Sequence, residues 1–129
     1  MANGDFITRM PPKAGHGVVT ELFALLDGQT GAGNGVWVPC RGAESITFTI
    51  SGIAASEGVT FYGHTPTDGD GETLPTATDD HQAISSEQLA NIHVGLPRSD
   101  IPWFIKADQT TAGGSNAVTV MASIDYLEA

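Results

Sequence analysis

Three carboxylates at alternate positions are the side chains of this sequence whose spacing could do chemistry. Asp68, Asp70 and Glu72 stand in the run DGDGE, where glycines separate them. Alternation of this kind lets a loop turn its oxygens toward a hard cation, as in the first half of an EF-hand calcium loop. However, Thr73 stands where that loop has a glycine, and no helix pattern precedes the run. We therefore interpret it as a solvated acidic turn, with a weak calcium site as the alternative.

Catalytic chemistry has one further set of candidates, in the run Asp79, Asp80 and His81. A carboxylate beside an imidazole can raise the pKa of that imidazole toward general-base use, but neighbours in sequence need not converge in space. The other histidines are scattered, whereas zinc needs three or four converging ligands. Cys40 has no nucleophile motif around it and is predicted to be a small buried residue. The sequence therefore predicts no enzyme, no catalytic residue and no cofactor, with an enzyme that uses Asp79, Asp80 and His81 as the remote alternative.

Two aromatic residues are candidates for a contact surface. Trp37 and Tyr62 have the opposite parity to the apolar residues beside them, which directs their rings away from the predicted core. Aromatic residues make up only 7% of the chain, so most of the others are needed for packing. We expect these two rings to lie at a subunit interface or to stack on sugar rings.

The charge balance excludes several classes of partner. The 129 residues carry 15 acidic and 5 basic side chains, for a formal net charge of −10. Phosphate backbones and anionic lipids repel such a chain, and no basic cluster opposes this. No run approaches the roughly 20 apolar residues of a membrane span, and residues 1–17 lack the apolar core of a signal peptide. We expect neither nucleic-acid nor membrane binding, and synthesis in a cytoplasm.

Period-2 alternation of apolar and polar residues predicts an all-β chain. Strands are expected over 18–26, 36–38, 45–51, 59–62, 92–96, 103–107 and 117–127. The stretch 45–64 is interpreted as a β-hairpin, with pairing to strands elsewhere in the sequence as the alternative. Short strands separated by Gly, Asn and Pro turns predict a single β-sandwich or jelly-roll-like domain over 18–129.

Residues 1–17 are expected to form an extended N-terminal arm. Pro11 and Pro12 lack backbone donors, so this segment is not a central strand or a helix interior. The arm is predicted to dock on a neighbouring subunit or on a capsid, and a frayed terminus is the alternative. Its contact side chains are the apolar and basic ones: Phe6, Ile7, Arg9, Met10 and Lys13.

One long acidic insertion interrupts the predicted strands. Residues 65–91 contain six carboxylates and neither Lys nor Arg. A connection of this length is usually functional or carries small elements of its own. Ser85 and Gln88 have the spacing of a capping box, which predicts a helical turn over 86–91.

A combination of short elements resembles small virion proteins of tailed bacteriophages. The elements that carry the resemblance are the loop DGQTGAGN at 27–34, the short strand 36–38, the alternating run 45–52, the strands 103–108 and 118–124, and the turn GGSN at 113–116. The resemblance covers about residues 18–127 as a pattern of strands and turns, and the acidic insertion 65–91 departs from that pattern. The resemblance implies a compact β-sandwich that decorates heads or forms head-fibre bases, often as a trimer.

What the resemblance implies for function is a structural role in a particle. The expected protein is a capsid decoration, or cement, protein on the capsid surface of a virion, with the major capsid protein and identical copies as its partners. The alternative is a carbohydrate- or receptor-binding sandwich of a phage fibre or tail, which would use Trp37, Tyr62 or the insertion 65–91.

Overall fold

Nine β-strands and one short 3-10 helix make up the regular structure in the part of the chain that the computed structural model describes. That part comprises residues 3–10, 17–33, 35–53, 57–66, 82–84, 87–88, 93–111 and 117–127. The strands are β1 (Asp5–Met10), β2 (Val18–Gln29), β3 (Val38–Pro39), β4 (Ser45–Ser51), β5 (Gly58–His64), β6 (Gln82–Ala83), β7 (His93–Pro97), β8 (Phe104–Thr111) and β9 (Val118–Leu127). The 3-10 helix, Arg98–Asp100, follows β7. No helix among these residues is long and apolar enough to cross a membrane.

The strands form two antiparallel sheets. One has five strands in the order β1-β2-β9-β4-β7, and the other has four in the order β3-β8-β5-β6. The predicted all-β sandwich is confirmed. The five-stranded sheet is wider than the other sheet, whose two edge strands have only two residues each. The larger sheet is therefore not fully covered by the smaller one at its edges.

The core lies between the sheets, and the alternation in the sequence places it there. In β9, Val118, Val120, Ala122 and Ile124 are fully buried, and each is separated from the next by a partly exposed residue. Phe48 of β4 stacks on a ring of the opposite sheet with centroids 4.1 Å apart, and that ring belongs to β5. Burial of each large apolar side chain contributes about 1.5–3 kcal/mol.

The hairpin interpretation of 45–64 is wrong. β4 pairs with β7 and β9 in the five-stranded sheet, whereas β5 pairs with β6 and β8 in the other. Both strands have one strongly apolar face, and the Phe48–Phe61 stack shows that these faces meet across the core instead of lying side by side. Alternation identifies the buried face of a strand but not the strand beside it.

Residues 5–10 belong to the sheet and not to a separate arm. β1 pairs antiparallel with β2, with a register shift between Phe6 and Thr8 that leaves Ile7 at a bulge. Phe6 packs edge-to-face on Phe23, with centroids 5.4 Å apart. The turn before β1 is also tied to β2, because the backbone N–H of Asp27 donates to Asn3 Oδ1 over 2.8 Å. These contacts favour an edge strand over an extended arm.

Two smaller predictions also differ from the structure. The strand expected at 36–38 is limited to Val38–Pro39. The helical turn expected over 86–91 does not include Gln88, which forms an antiparallel bridge with Val59, and its other residues except Glu87 lie outside the described part of the chain. The end of the acidic insertion therefore returns along β5.

Candidate functional site

The edge strand β1 extends the five-stranded sheet past the smaller sheet. β1 packs mainly on β2, and β2 in turn packs against β8 of the other sheet. Phe6 and Met10 of β1 remain 53% and 45% exposed. Phe6 lies on the inner side of the sheet, opposite the buried Phe23, whereas Met10 lies opposite Thr20 and faces outward. The inner side of β1 is incompletely covered, because Phe6 stays exposed there and the smaller sheet ends at the two-residue strand β3.

A pocket of about 330 Å³ opens beside β1. Its lining consists of Arg9, Val19, Glu21, Tyr126 and Leu127. The register brings these residues together, because Arg9 lies opposite Glu21 and Val19 lies opposite Tyr126 on paired strands. We call β1 and this pocket the overhang.

The overhang holds charges that have no partner in the described part of the chain. The side chains of Arg9 and Glu21 form no ion pair there. The other described cations are all engaged: Arg98 pairs with Glu44 at 3.4 Å, Lys106 pairs with Asp108 at 3.1 Å, and the Arg41 guanidinium lies 3.8 Å from the ring centroid of Trp103. Among the described Lys and Arg side chains, Arg9 is therefore the one with neither an ion pair nor an aromatic contact.

Tyr126 contributes a hydroxyl that keeps its proton. Burial raises the pKa of Tyr126 from its ordinary value of 10.0 to about 12, and the charge of Glu21 adds to the shift. At neutral pH the phenol is therefore a hydrogen-bond donor. The pocket combines one cation, one anion and one neutral donor over an apolar floor.

Exposed apolar side chains concentrate around the same place. Among the described residues, the large hydrophobic ones that remain exposed are Phe6, Met10, Leu127 and Val36. Leu127, which is 61% exposed, lines the pocket, while Phe6 and Met10 are on the same strand as Arg9. Large apolar side chains that stay exposed close to one another mark a candidate protein contact surface.

The second group of predicted contact residues meets on the other sheet. The Lys106 ammonium lies 5.3 Å from the ring centroid of Trp37 and 5.6 Å from that of Tyr62. Its charge is balanced by Asp108, whose Oδ1 also accepts the backbone N–H of Gly35 over 2.8 Å. Lys106 is only 2% exposed. We call this group the lysine cluster.

The lysine cluster is a buried, satisfied network. The ring faces of Trp37 and Tyr62 that point toward the ammonium are not available to stack on a sugar ring. The Asp108 contact to Gly35 fixes the loop before β3 to the outer face of β8. These contacts stabilise the sheet and give Trp37 and Tyr62 a packing role. The contact role predicted for both rings stays a prediction.

Cys40 is buried as predicted, and its chemistry is suppressed. Its Sγ lies 3.2 Å from the carbonyl oxygen of Pro102, to which it donates. Burial raises the pKa of the thiol to about 12, so the thiolate is scarcely populated at neutral pH. No group of three or more His, Cys, Asp or Glu within the described residues could hold a metal ion.

The predicted site residues thus fall into separate places. Phe6, Ile7, Arg9 and Met10 lie on β1, while Trp37 and Tyr62 lie at the lysine cluster on the other sheet. The remaining predicted residues lie outside the described part of the chain: Lys13, Asp68, Asp70, Glu72, Asp79, Asp80 and His81.

Sequence reasoning missed Glu21, Tyr126, Lys106 and Asp108. The spacing of Lys106 and Asp108 was a usable signal, because residues two apart in a strand share a face. By contrast, the meeting of Glu21 and Tyr126 with Arg9 depends on the order of strands in the sheet.

Comparison with known proteins gives a structural match. No protein-family model and no curated protein sequence matches this chain. The fold is similar to the crystal structure of the SPBc2 prophage-derived protein YomS, with a TM-score of 0.61 and 20% sequence identity. The match covers 84% of this chain and 94% of that one. At this identity, the similarity shows a shared fold.

Proposed function

We propose that this chain is a non-enzymatic structural protein of a bacteriophage particle, and that it decorates the capsid, with the overhang as the surface through which it assembles. The observation that carries the proposal is the exposure of Phe6 and Leu127 beside Arg9, which forms no ion pair among the described residues. The fold shared with a prophage-derived protein supports a phage origin, as does the pattern of strands and turns in the sequence.

The sheet edges support a contact made by side chains and not by strand addition. β3 and β7 each contain a proline, at Pro39 and Pro97, and β6 is only two residues long. β1 carries the bulge at Ile7 and two charged residues. Short strands, prolines, bulges and charges discourage edge-to-edge pairing. A partner is therefore expected to contact the exposed side chains of β1 and the pocket of the overhang.

The proposed partners are the major capsid protein and identical copies of this chain. The resemblance implies a trimer on the capsid surface of the virion. The net charge of −10 opposes binding to nucleic acid, which supports a place on the outside of a shell instead of against packaged DNA.

Shell binding by purified protein tests the proposal. We expect the protein to co-sediment with expanded capsid shells of its phage and not with unexpanded ones. The double variant Phe6→Ser/Met10→Ser removes the exposed apolar side chains from both faces of β1. We expect its affinity for the shell to fall at least about tenfold, which corresponds to about 1.4 kcal/mol.

Thr47→Ala is the control, because Thr47 is exposed on β4, which β2 and β9 separate from β1 in the sheet. We expect this variant to bind as the unaltered protein does. Absence of binding to any shell would refute decoration. Equal losses in Thr47→Ala and in the double variant would refute the assignment of the contact to the overhang.

A further inference from the structure

We propose that the overhang joins two copies of this chain about a two-fold axis, with Arg9 of each copy paired to Glu21 of the other. The inference deepens the proposed function, on which it rests for the reason to assemble. It names the partner of the overhang as a second copy and gives the contact its symmetry.

The charges of the overhang are self-complementary. A two-fold contact places the same patch on both sides, so every attractive pair in it occurs twice. The patch has one cation, Arg9, and one anion, Glu21, on neighbouring strands, and neither has an ion partner in the described part of the chain. Rotation by 180° brings each Arg9 to the other copy's Glu21.

The rest of the surface disfavours other self-contacts. A chain with 15 acidic and 5 basic side chains repels its copies over most orientations. The pocket of the overhang carries one positive and one negative side chain and is therefore locally neutral, so two copies can approach there with less repulsion than elsewhere. Electrostatic complementarity of this kind selects the orientation of a contact more than its affinity.

Apolar burial supplies the affinity. Phe6, on the same face of β1 as Arg9, is 53% exposed, and Leu127 at the pocket is 61% exposed, so each retains surface that a second copy would cover. The floor includes Val19, and the protonated Tyr126 offers a donor that no described residue accepts. Aromatic side chains, Met and Arg are enriched in protein interfaces, and all of these types are present here.

The contact joins copies in pairs. A trimer, which the resemblance implies, would need an additional surface. On a repeating shell, a pair of copies can engage two lattice positions at once, and this raises overall affinity without any new shell contact.

Charge reversal tests the pairing in solution. Sedimentation velocity is measured on the unaltered protein, on Arg9→Glu, on Glu21→Arg, on the double variant, and on an equimolar mixture of the two single variants. We expect the unaltered protein to form dimers and each single variant to be monomeric, with at least a tenfold weaker dissociation constant.

The equimolar mixture of the two single variants distinguishes an ion pair between copies from an ion pair within one copy. One single variant has two anions in its patch and the other has two cations, so each repels itself and attracts the other. We expect the mixture to form heterodimers and the double variant Arg9→Glu/Glu21→Arg to form homodimers again. Arg98→Glu changes an exposed cation away from the pocket and is expected to leave the dimer intact.

Several outcomes would overturn the inference. They are an unaltered protein that stays monomeric at high concentration, single variants that dimerise normally, and folded single variants whose mixture stays monomeric. Should a reversal at Arg9 or Glu21 prevent folding, Leu127→Glu places a charge at the pocket, on an exposed strand end, and must also abolish the dimer.

The assay contains no capsid shell, so the two proposals fail separately. Shell binding by a protein that never dimerises refutes the pairing and leaves decoration intact. Dimers that bind no shell refute decoration and leave the pairing intact.

Discussion

Removing the Lys106 ammonium should destabilise the fold far more than removing an ion pair on the surface. Lys106→Met keeps the apolar stem of the side chain but leaves the Asp108 carboxylate, itself 5% exposed, without its cation. Among the described residues, the backbone N–H of Gly35 is then the remaining hydrogen-bond donor to that carboxylate. Breaking a buried pair from one side costs about 3–5 kcal/mol. The lost contacts with the two aromatic rings cost roughly 0.5–2 kcal/mol more, partly offset by contacts of the Met sulfur.

Two further variants identify the cause of the loss. Glu44→Gln breaks the pair with Arg98, whose side chain is 75% exposed, and should cost at most about 1 kcal/mol. The double variant Lys106→Met/Asp108→Asn removes both charges and keeps an oxygen for the Gly35 N–H. It should therefore be more stable than Lys106→Met alone, because an uncompensated buried charge is worse than a neutral pair.

Urea unfolding followed by tryptophan fluorescence measures these differences, with Trp37 and Trp103 as the probes. The transition midpoint should shift while its slope stays constant, since the area exposed on unfolding is unchanged. The reasoning is refuted if Lys106→Met loses no more than Glu44→Gln, or if the double variant is less stable than Lys106→Met.

Three other predictions concern buried groups. Cys40, whose raised pKa is about 12, should resist thiol reagents in the native protein and react fully in urea, and fast native labelling would contradict its burial. Tyr126 should ionise near pH 12 by ultraviolet absorbance and at a lower pH in Glu21→Gln. Because the unfolded tyrosine loses its proton near 10.0, this contribution to stability is complete below that pH and is lost as the pH rises to about 12. Gly35→Ala should destabilise by about 1–3 kcal/mol because its Cβ would overlap a backbone carbonyl oxygen of β8, whereas Gly31→Ala meets open space; equal melting temperatures would refute the clash.

The sequence predicts the faces of the strands well because a face depends only on neighbouring residues. In β9 the alternation alone identifies Val118, Val120, Ala122 and Ile124 as buried. The partners of a strand depend on residues far away in the chain. The order β1-β2-β9-β4-β7 joins both ends of the sequence in one sheet, and no local pattern encodes it.

The candidate site shows the same division. The sequence predicts Phe6, Arg9 and Met10 as contact residues because they are apolar and basic side chains close together in an acidic chain, and that role stays a prediction. Their placement on an edge strand was not predictable, since it rests on pairing with β2 and on the Phe6–Phe23 contact. Glu21 enters the site only through that pairing.

The unequal width of the two sheets supports the interaction surface that we propose at β1. A sandwich buries the inner face of a strand only where the opposite sheet extends far enough, and here β3 ends that sheet with two residues. β1 therefore keeps an inner side whose apolar groups gain from being covered. Long-range repulsion between acidic copies is screened beyond about 8 Å at physiological ionic strength, so contacts at the overhang act once two copies are close. Repulsion between the acidic copies therefore acts at longer range than the burial of apolar side chains, which needs direct contact. In this way an acidic protein can remain dispersed and still keep one surface for the proposed assembly.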